Sequence, residues 1–297
     1  MRHGAPAPDA AGSVSAMRLR LGYSPCPNDT FIFHALQAGL LAGTPEQAGG
    51  PGEEPIELEV THQDIDALNA AALAGELDVA KVSYHAYGYL ARDWVLLRSG
   101  GALGRGVGPL VVARDPGLDL TGKLVAVPGG ATTAKLLLAL WRDDLRTEVV
   151  RYDAIMPAVA AGRYDAGLII HESRFTYPSL GLHALVDLGS WWEREVGELV
   201  PLGAIAMRRE LGAAAHARVT RLIRASLEHA WAHPEASAAY VAQHAQEMEP
   251  AVRQQHIDLY VNGFSLDVGE RGAAAARTLL AMGHERGLFA PVTEPIY

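Results

Sequence analysis

The sequence predicts an α/β protein of two similar lobes with a helical C-terminal segment. Short apolar runs alternate with helically spaced stretches along most of the chain, the mark of α/β architecture. The alternation over residues 17–83 recurs in outline over residues 123–170, and from residue 213 onward the pattern is helical.

Each element follows from its own pattern. "MRLRLGYS" (17–24) alternates with period two and then breaks, as a strand does. "NDTFIFHALQAGLL" (28–41) has helical spacing, with Phe31, Ala35 and Ala38 on one face. Residues 42–55, rich in Gly, Pro and Glu, read as a surface loop. A strand at 56–62, a helix at 64–76 with Asp64 as N-cap and a strand at 77–83 complete the first unit. The rhythm restarts at "GPLVVAR" (108–114). It continues with strands at 123–130, 148–153 and 164–170, and helices at 131–144 and 154–163 between them. "SWWERE" (190–195) reads as a loop carrying Trp191 and Trp192, and "PLGAIAMR" (201–208) as a strand leaving the second lobe. Four helices follow, near 213–232, 234–247, 249–261 and 267–286, with Pro234 and Pro250 at two boundaries. They return to wrap the first lobe. The expected division is a disordered tail at 1–16, a first lobe of 17–107 with 204–297, and a second lobe of 108–203. Crossings near 105–113 and 200–207 then form a hinge, with a ligand cleft between the lobes.

Composition narrows the function classes. With 25 basic and 34 acidic residues the formal charge is −9, and no Lys/Arg block stands out, which argues against nucleic acid or an anionic membrane as partner. A small anion stays admissible, because a local site can oppose the global charge. One cysteine allows no internal disulfide. No apolar run reaches the ~18 residues of a membrane span. The first 16 residues lack an apolar segment of the secretory kind, and Met17 is a candidate start, so the expected address is the cytoplasm.

Ligands of α/β sheets bind beyond the carboxyl ends of the strands, and the polar residues gather there. In "PGGATTAK", Gly129 and Gly130 permit unusual φ angles and close approach, with Thr132 and Thr133 at the helix start. That is either an ordinary capped helix or an anion cradle of N–H groups, hydroxyls and helix dipole. "GLIIHES" sets His171 at a strand exit, as a structural imidazole or as a base working near pH 7. Glu172 either orients it or faces water. In "DVAKVS", alternation sends Lys81 and Ser83 to one side and Val82 to the other, and a lysine in an apolar strand demands an anionic partner unless the strand end is frayed. In "SPCPNDTFIF" the two prolines stiffen the turn around Cys26, and Asn28 or Asp29 caps the helix. No basic neighbour activates that thiol, which favours a rigid turn lining the cleft. His229 and His233 share a helical face, but the His-Glu-x-x-His zinc pattern is absent, so no metal is expected.

Five stretches, "YSPCPNDTFIFHAL", "DVAKVSYHAY", "PGGATTAKLLL", "IIHESRFTY" and "VPLGAIAMRR", together resemble the 1,4-dihydroxy-6-naphthoate synthase family of the futalosine route to menaquinone. The likeness runs from about Arg18 to the C-terminal helices. It implies the two-lobed fold of type II periplasmic solute-binding proteins. It implies a lyase that converts cyclic de-hypoxanthine futalosine to 1,4-dihydroxy-6-naphthoate with release of dihydroxyacetone, without metal or organic cofactor. By resemblance His171 matches the catalytic base, Lys81, Val82 and Ser83 one substrate-binding segment, and Thr132 and Thr133 another, with Asn28 and Asp29 at the cleft rim. The threonines would hold the anionic end of a carboxylated substrate and Lys81 and Ser83 its polar oxygens. The competing expectations are a chorismate dehydratase of the same route, a solute receptor and a ligand-sensing regulator.

Overall fold

The computed structural model describes residues 16–48, 53–246 and 249–297, so the tail expected at 1–16 lies almost wholly outside the described residues. Eleven strands are described in chain order: β1 Met17–Tyr23, β2 Ile56–His62, β3 Val79–Ser83, β4 Trp94–Leu96, β5 Ala102–Gly104, β6 Leu110–Ala113, β7 Leu124–Val127, β8 Arg146–Val149, β9 Ala166–Ile169, β10 His183–Asp187 and β11 Val200–Arg208. They form two sheets. The first has the order β2-β1-β3-β11-β4, with β5 on the other end of β11; the second has the order β10-β6-β9-β7-β8.

The two sheets repeat one plan. β1 lies parallel between β2 and β3, and β7 lies parallel between β8 and β9. An antiparallel strand then closes on the third of each set, β11 on β3 and β6 on β9. The carboxyl ends of the inner strands of both sheets, Tyr23, Ser83, Val127 and Ile169, open toward one shared cavity. The chain crosses to the second sheet between β5 and β6 and returns between β10 and β11. β11 runs in the first sheet from Val200 onward.

The crossings touch. A Cβ on Gly189 would sit 1.8 Å from the Val107 carbonyl oxygen, so the return connection needs a glycine where it meets the outgoing one. The stretch read as a tryptophan loop is the helix Leu188–Glu195. Asp187, the last residue of β10, accepts from the amides of Gly189 and Ser190 at 2.9 and 3.0 Å and starts it. Trp192 is fully buried and donates from Nε1 to the Leu199 carbonyl at 2.9 Å.

The helix Pro27–Gln37 departs from its expected pattern. Every residue from Pro27 to Ala35 is buried, whereas Ala38, expected on the apolar face, is exposed. The helices Gly212–Ala232, Pro234–His244 and Pro250–Tyr260 return and pack on it. A helix covered all round has no single apolar stripe to read. Its N-cap is Cys26, not Asn28 or Asp29; Asp29 lies inside the first turn and reaches back to Ser24. Within the expected 42–55 loop a short helix, Pro45–Ala48, is present, and residues 49–52 lie outside the described residues. Arg218 holds this segment through the carbonyls of Glu46, Gln47 and Glu54. Among the described residues no helix is long and apolar enough to cross a membrane.

Backbone packed on backbone cannot repack around a methyl group. Gly189→Ala is therefore expected to lower stability by ~1–3 kcal/mol in urea unfolding, whereas Gly130→Ala, with open space at its Cβ position, should stay near the wild-type value.

Candidate functional site

The cavity between the sheets has a volume of about 90 Å³. From the first sheet it takes Ser24, Asn28, Asp29, Lys81 and Ser83. The second supplies Thr132, Thr133 and His171, and the returning helix Pro250–Tyr260 adds His256 and Tyr260. Pleat alternation puts Lys81 and Ser83 into it. Val82 points the other way into the apolar core, so its side chain is no part of the site.

Lys81 is 4% exposed and needs a counter-charge, and Asp29 provides it at 2.6 Å. The same ammonium donates to the Gly100 carbonyl at 3.1 Å. Asp29, 1% exposed, also accepts from the Ser24 hydroxyl at 2.7 Å and from Asn28 Nδ2 at 2.9 Å. Asn28 and Asp29, expected at the cleft rim, are buried residues of the cavity lining. Ser83 is fixed by Asn69, which takes the Ser83 amide at 2.9 Å and donates to its hydroxyl oxygen at 3.1 Å. The Ser83 hydroxyl lines the cavity, and among the described residues it has no acceptor for its proton.

His171 lies two residues past the end of β9, and the chain turns at once into the helix Ser173–Thr176. The turn sets its φ at +56°, the left-handed region that histidine tolerates better than most side chains. The half-buried ring meets Tyr152 edge-on at 5.3 Å and lies near-parallel to His256 at 6.2 Å. Burial pushes its pKa down to about 4; the Lys81 charge adds to this and Asp29 opposes it. The imidazole is neutral at pH 7. Glu172, buried beside it, brings Oε2 to 4.0 Å from His256 Nδ1.

The threonines line the cavity, but their hydroxyls are engaged. Thr132 caps the helix Thr133–Trp141, its Oγ accepting from the Lys135 amide and donating to the Gly129 carbonyl, each at 3.3 Å. Thr133 Oγ accepts from the Tyr84 amide at 2.8 Å and donates to the Leu202 carbonyl at 2.6 Å, joining the second sheet to the first. One amide of the anion cradle is taken up from within. Asp66, from the first unit, accepts from the Gly130 amide at 3.1 Å. A Cβ on Gly129 would lie 2.1 Å from Asp66 Oδ1, and neither Gly129 nor Gly130 has positive φ. The glycine is there for close approach, not for unusual torsion.

Burial raises the Cys26 thiol well above its ordinary pKa, with the Glu172 charge adding to the effect, so it stays protonated. The rings of His229 and His233 lie 4.9 Å apart, tilted by 49°. Among the described residues no group of three or more His, Cys, Asp or Glu side chains is arranged to hold a metal. Sequence reading missed His256, Tyr260, Asn69 and Asp66. Val252, His256 and Tyr260 recur at helical spacing, and Asn69 interrupts the alanine-rich face of "DALNAAAL"; both were detectable as polar residues on apolar stripes.

The profile of a family described as menaquinone biosynthesis matches residues 19–285. A Streptomyces coelicolor protein named 1,4-dihydroxy-6-naphthoate synthase is 51% identical over 281 residues, covering 93% of this chain and 96% of that protein. A Thermus thermophilus protein of the same name is 50% identical over 279 residues, covering 94% and 98%. A crystal structure from Archaeoglobus fulgidus superposes with a TM-score of 0.83 at 32% identity, covering 92% of this chain and 98% of that one. The alkanesulfonate-binding protein of Xanthomonas axonopodis pv. citri superposes at 0.69 with 16% identity, covering 93% and 96%, and shares the fold alone. The fold is that of the periplasmic binding proteins, two-lobed as expected.

Removing one member of a buried ion pair strands the other. Lys81→Met and Asp29→Leu should each cost ~3–5 kcal/mol, and the double variant less than their sum, in a urea-unfolding cycle. A second expectation concerns acid. Burial holds His85 at a pKa of about 4 and His256 well below its ordinary value of 6.5. Below pH 6.5 the unfolded chain binds protons that these buried rings refuse. Stability should be full above pH 6.5 and fall as pH drops from there toward 4, by up to ~1.4 kcal/mol per pH unit for each ring, in denaturant titrations across that range.

Proposed function

The chain belongs to the menaquinone-biosynthesis family, and on that premise we propose that it acts as a 1,4-dihydroxy-6-naphthoate synthase, a lyase that uses His171 as general base. It would convert cyclic de-hypoxanthine futalosine to 1,4-dihydroxy-6-naphthoate and dihydroxyacetone, in the cytoplasm. What supports the reading most is the half-identity over almost the whole chain to two proteins of that name, in a chain whose matching segments meet at one cavity.

The residue chemistry agrees with a carbon–carbon cleavage. His171, neutral at pH 7, takes a proton from the carbon beside the substrate's ketone, or from the hydroxyl whose alkoxide drives a retro-aldol step. The imidazolium that forms is stabilised by Asp29, whose charge already favours the protonated ring. When the carbon–carbon bond breaks, its electron pair moves toward the ketone oxygen. Lys81 and the free Ser83 proton are the donors placed to receive that charge. The departing fragment leaves as a ketone, and proton loss aromatises the ring. With the threonine hydroxyls spent on the protein itself, Thr132 and Thr133 contribute walls and lobe contact in this scheme, not a grip on the carboxylate.

Incubation with cyclic de-hypoxanthine futalosine should yield the naphthoate and dihydroxyacetone; absence of both, or turnover of chorismate instead, would overturn the assignment. His171→Ala should lower kcat by at least ~10²-fold with KM little changed. Since the base acts in its neutral form, kcat/KM should hold from pH 7 down to about 5 and fall below about 4, the depressed pKa of His171.

A further inference from the structure

A second imidazole faces the cavity, and nothing in the cleavage scheme uses it. His256 is 1% exposed, and its tautomer is settled by a relay of contacts. The Lys81 ammonium binds Asp29 Oδ1 at 2.6 Å, which makes that oxygen an acceptor for Asn28 Nδ2 at 2.9 Å. The amide is thereby oriented with Oδ1 toward His256 Nε2, 2.9 Å away. An amide oxygen only accepts, so Nε2 carries the proton. Burial, with His171 and Lys81 nearby, keeps the ring from taking a second one. Nδ1 is left bare, inside the protein and without a hydrogen-bond partner among the described residues.

A buried acceptor without a donor costs ~1–3 kcal/mol. Glu172 Oε2 lies 4.0 Å away, beyond hydrogen-bond range. With the ring neutral, an acceptor nitrogen is left on a residue of the cavity lining, which suits an alcohol donor. We propose that His256 recognises the sugar-derived portion of the substrate, Nδ1 accepting a hydrogen bond from one of its hydroxyls, so that the hydroxyl-bearing end lies between His171 and His256. This deepens the functional reading above and rests on it.

Two measurements test it. In protein labelled with ¹⁵N-histidine, NMR should show His256 protonated at Nε2 and bare at Nδ1, the signals being assigned by their loss in His256→Phe. A proton on Nδ1 overturns the inference. In kinetics with the cyclic futalosine derivative, His256→Phe should lower kcat/KM about tenfold. His256→Gln, which keeps both a donor for Asn28 and an acceptor for the ligand, should stay within about threefold of wild type. Inhibition constants of analogues lacking one hydroxyl each should then separate recognition from a structural role. For one analogue the His256→Phe penalty should vanish, and for the rest it should persist. An equal penalty for every analogue overturns the inference while leaving the activity assigned. Lack of turnover by the wild type removes the functional reading, and this one with it.

Discussion

A lysine and an aspartate meet inside this protein at 2.6 Å, both almost wholly out of water, and the site is arranged around keeping them charged. Desolvation costs several kcal/mol per ion, and mutual attraction offsets it only when the remaining donors and acceptors are also met. Each remaining demand fixes a neighbour. Asp29 needs Ser24 and Asn28, which pins the turn before the helix Pro27–Gln37. Lys81 needs a carbonyl, which holds the loop at Gly100. The proline-flanked "SPCPND" segment is stiff because its side chains must arrive in one arrangement. Cys26 follows as the small buried residue between the prolines, protonated and inert.

The repeated β-α-β-α-β plan then divides the labour. The first unit carries the charged pair and the second carries the imidazole at the exit of β9. Neither half holds the full set, so the proposed chemistry needs the sheets face to face. Their contact is apolar as well as polar: one buried cluster takes in Val82 and Tyr84 from the first unit and Val127 and Leu136 from the second, while Asp66 meets Gly130 and Thr133 meets Tyr84 and Leu202. A cavity of about 90 Å³ is below the ~300–1,000 Å³ of ordinary ligand sites.

What the sequence revealed follows the range of the forces concerned. Period-two and helical spacings are local, so both β-α-β-α-β units, the Asp64 cap and the alternation at Lys81 and Ser83 were legible. Two failures were tertiary. The helix Pro27–Gln37 hides its polarity pattern because three later helices cover it, and the tryptophan loop is a helix because Asp187 caps it at the end of a strand. The threonines show a subtler limit. Residue type and helix position marked an anion site, yet whether a hydroxyl is free depends on Leu202 and Tyr84, which lie far along the chain. Lys81 was read as needing an anion, and the anion turned out to be the protein's own.

That last point bears on the chemistry. A cation already neutralised by Asp29 does not draw a substrate carboxylate strongly, but it is a fixed donor whose position costs nothing to reorganise when charge develops on an oxygen nearby. The proposed base opposite obeys the same logic. A histidine depressed to about 4 is weak, and it is unprotonated at pH 7. In the proposed mechanism a proton arriving on His171 would come under the attraction of Asp29 in a medium of low dielectric, which offsets that weakness. In the proposed mechanism the buried pair would thus polarise the reaction from both ends: ammonium toward the oxygen that gains charge, carboxylate toward the imidazole that gains a proton. An exposed pair, screened by water, could do neither.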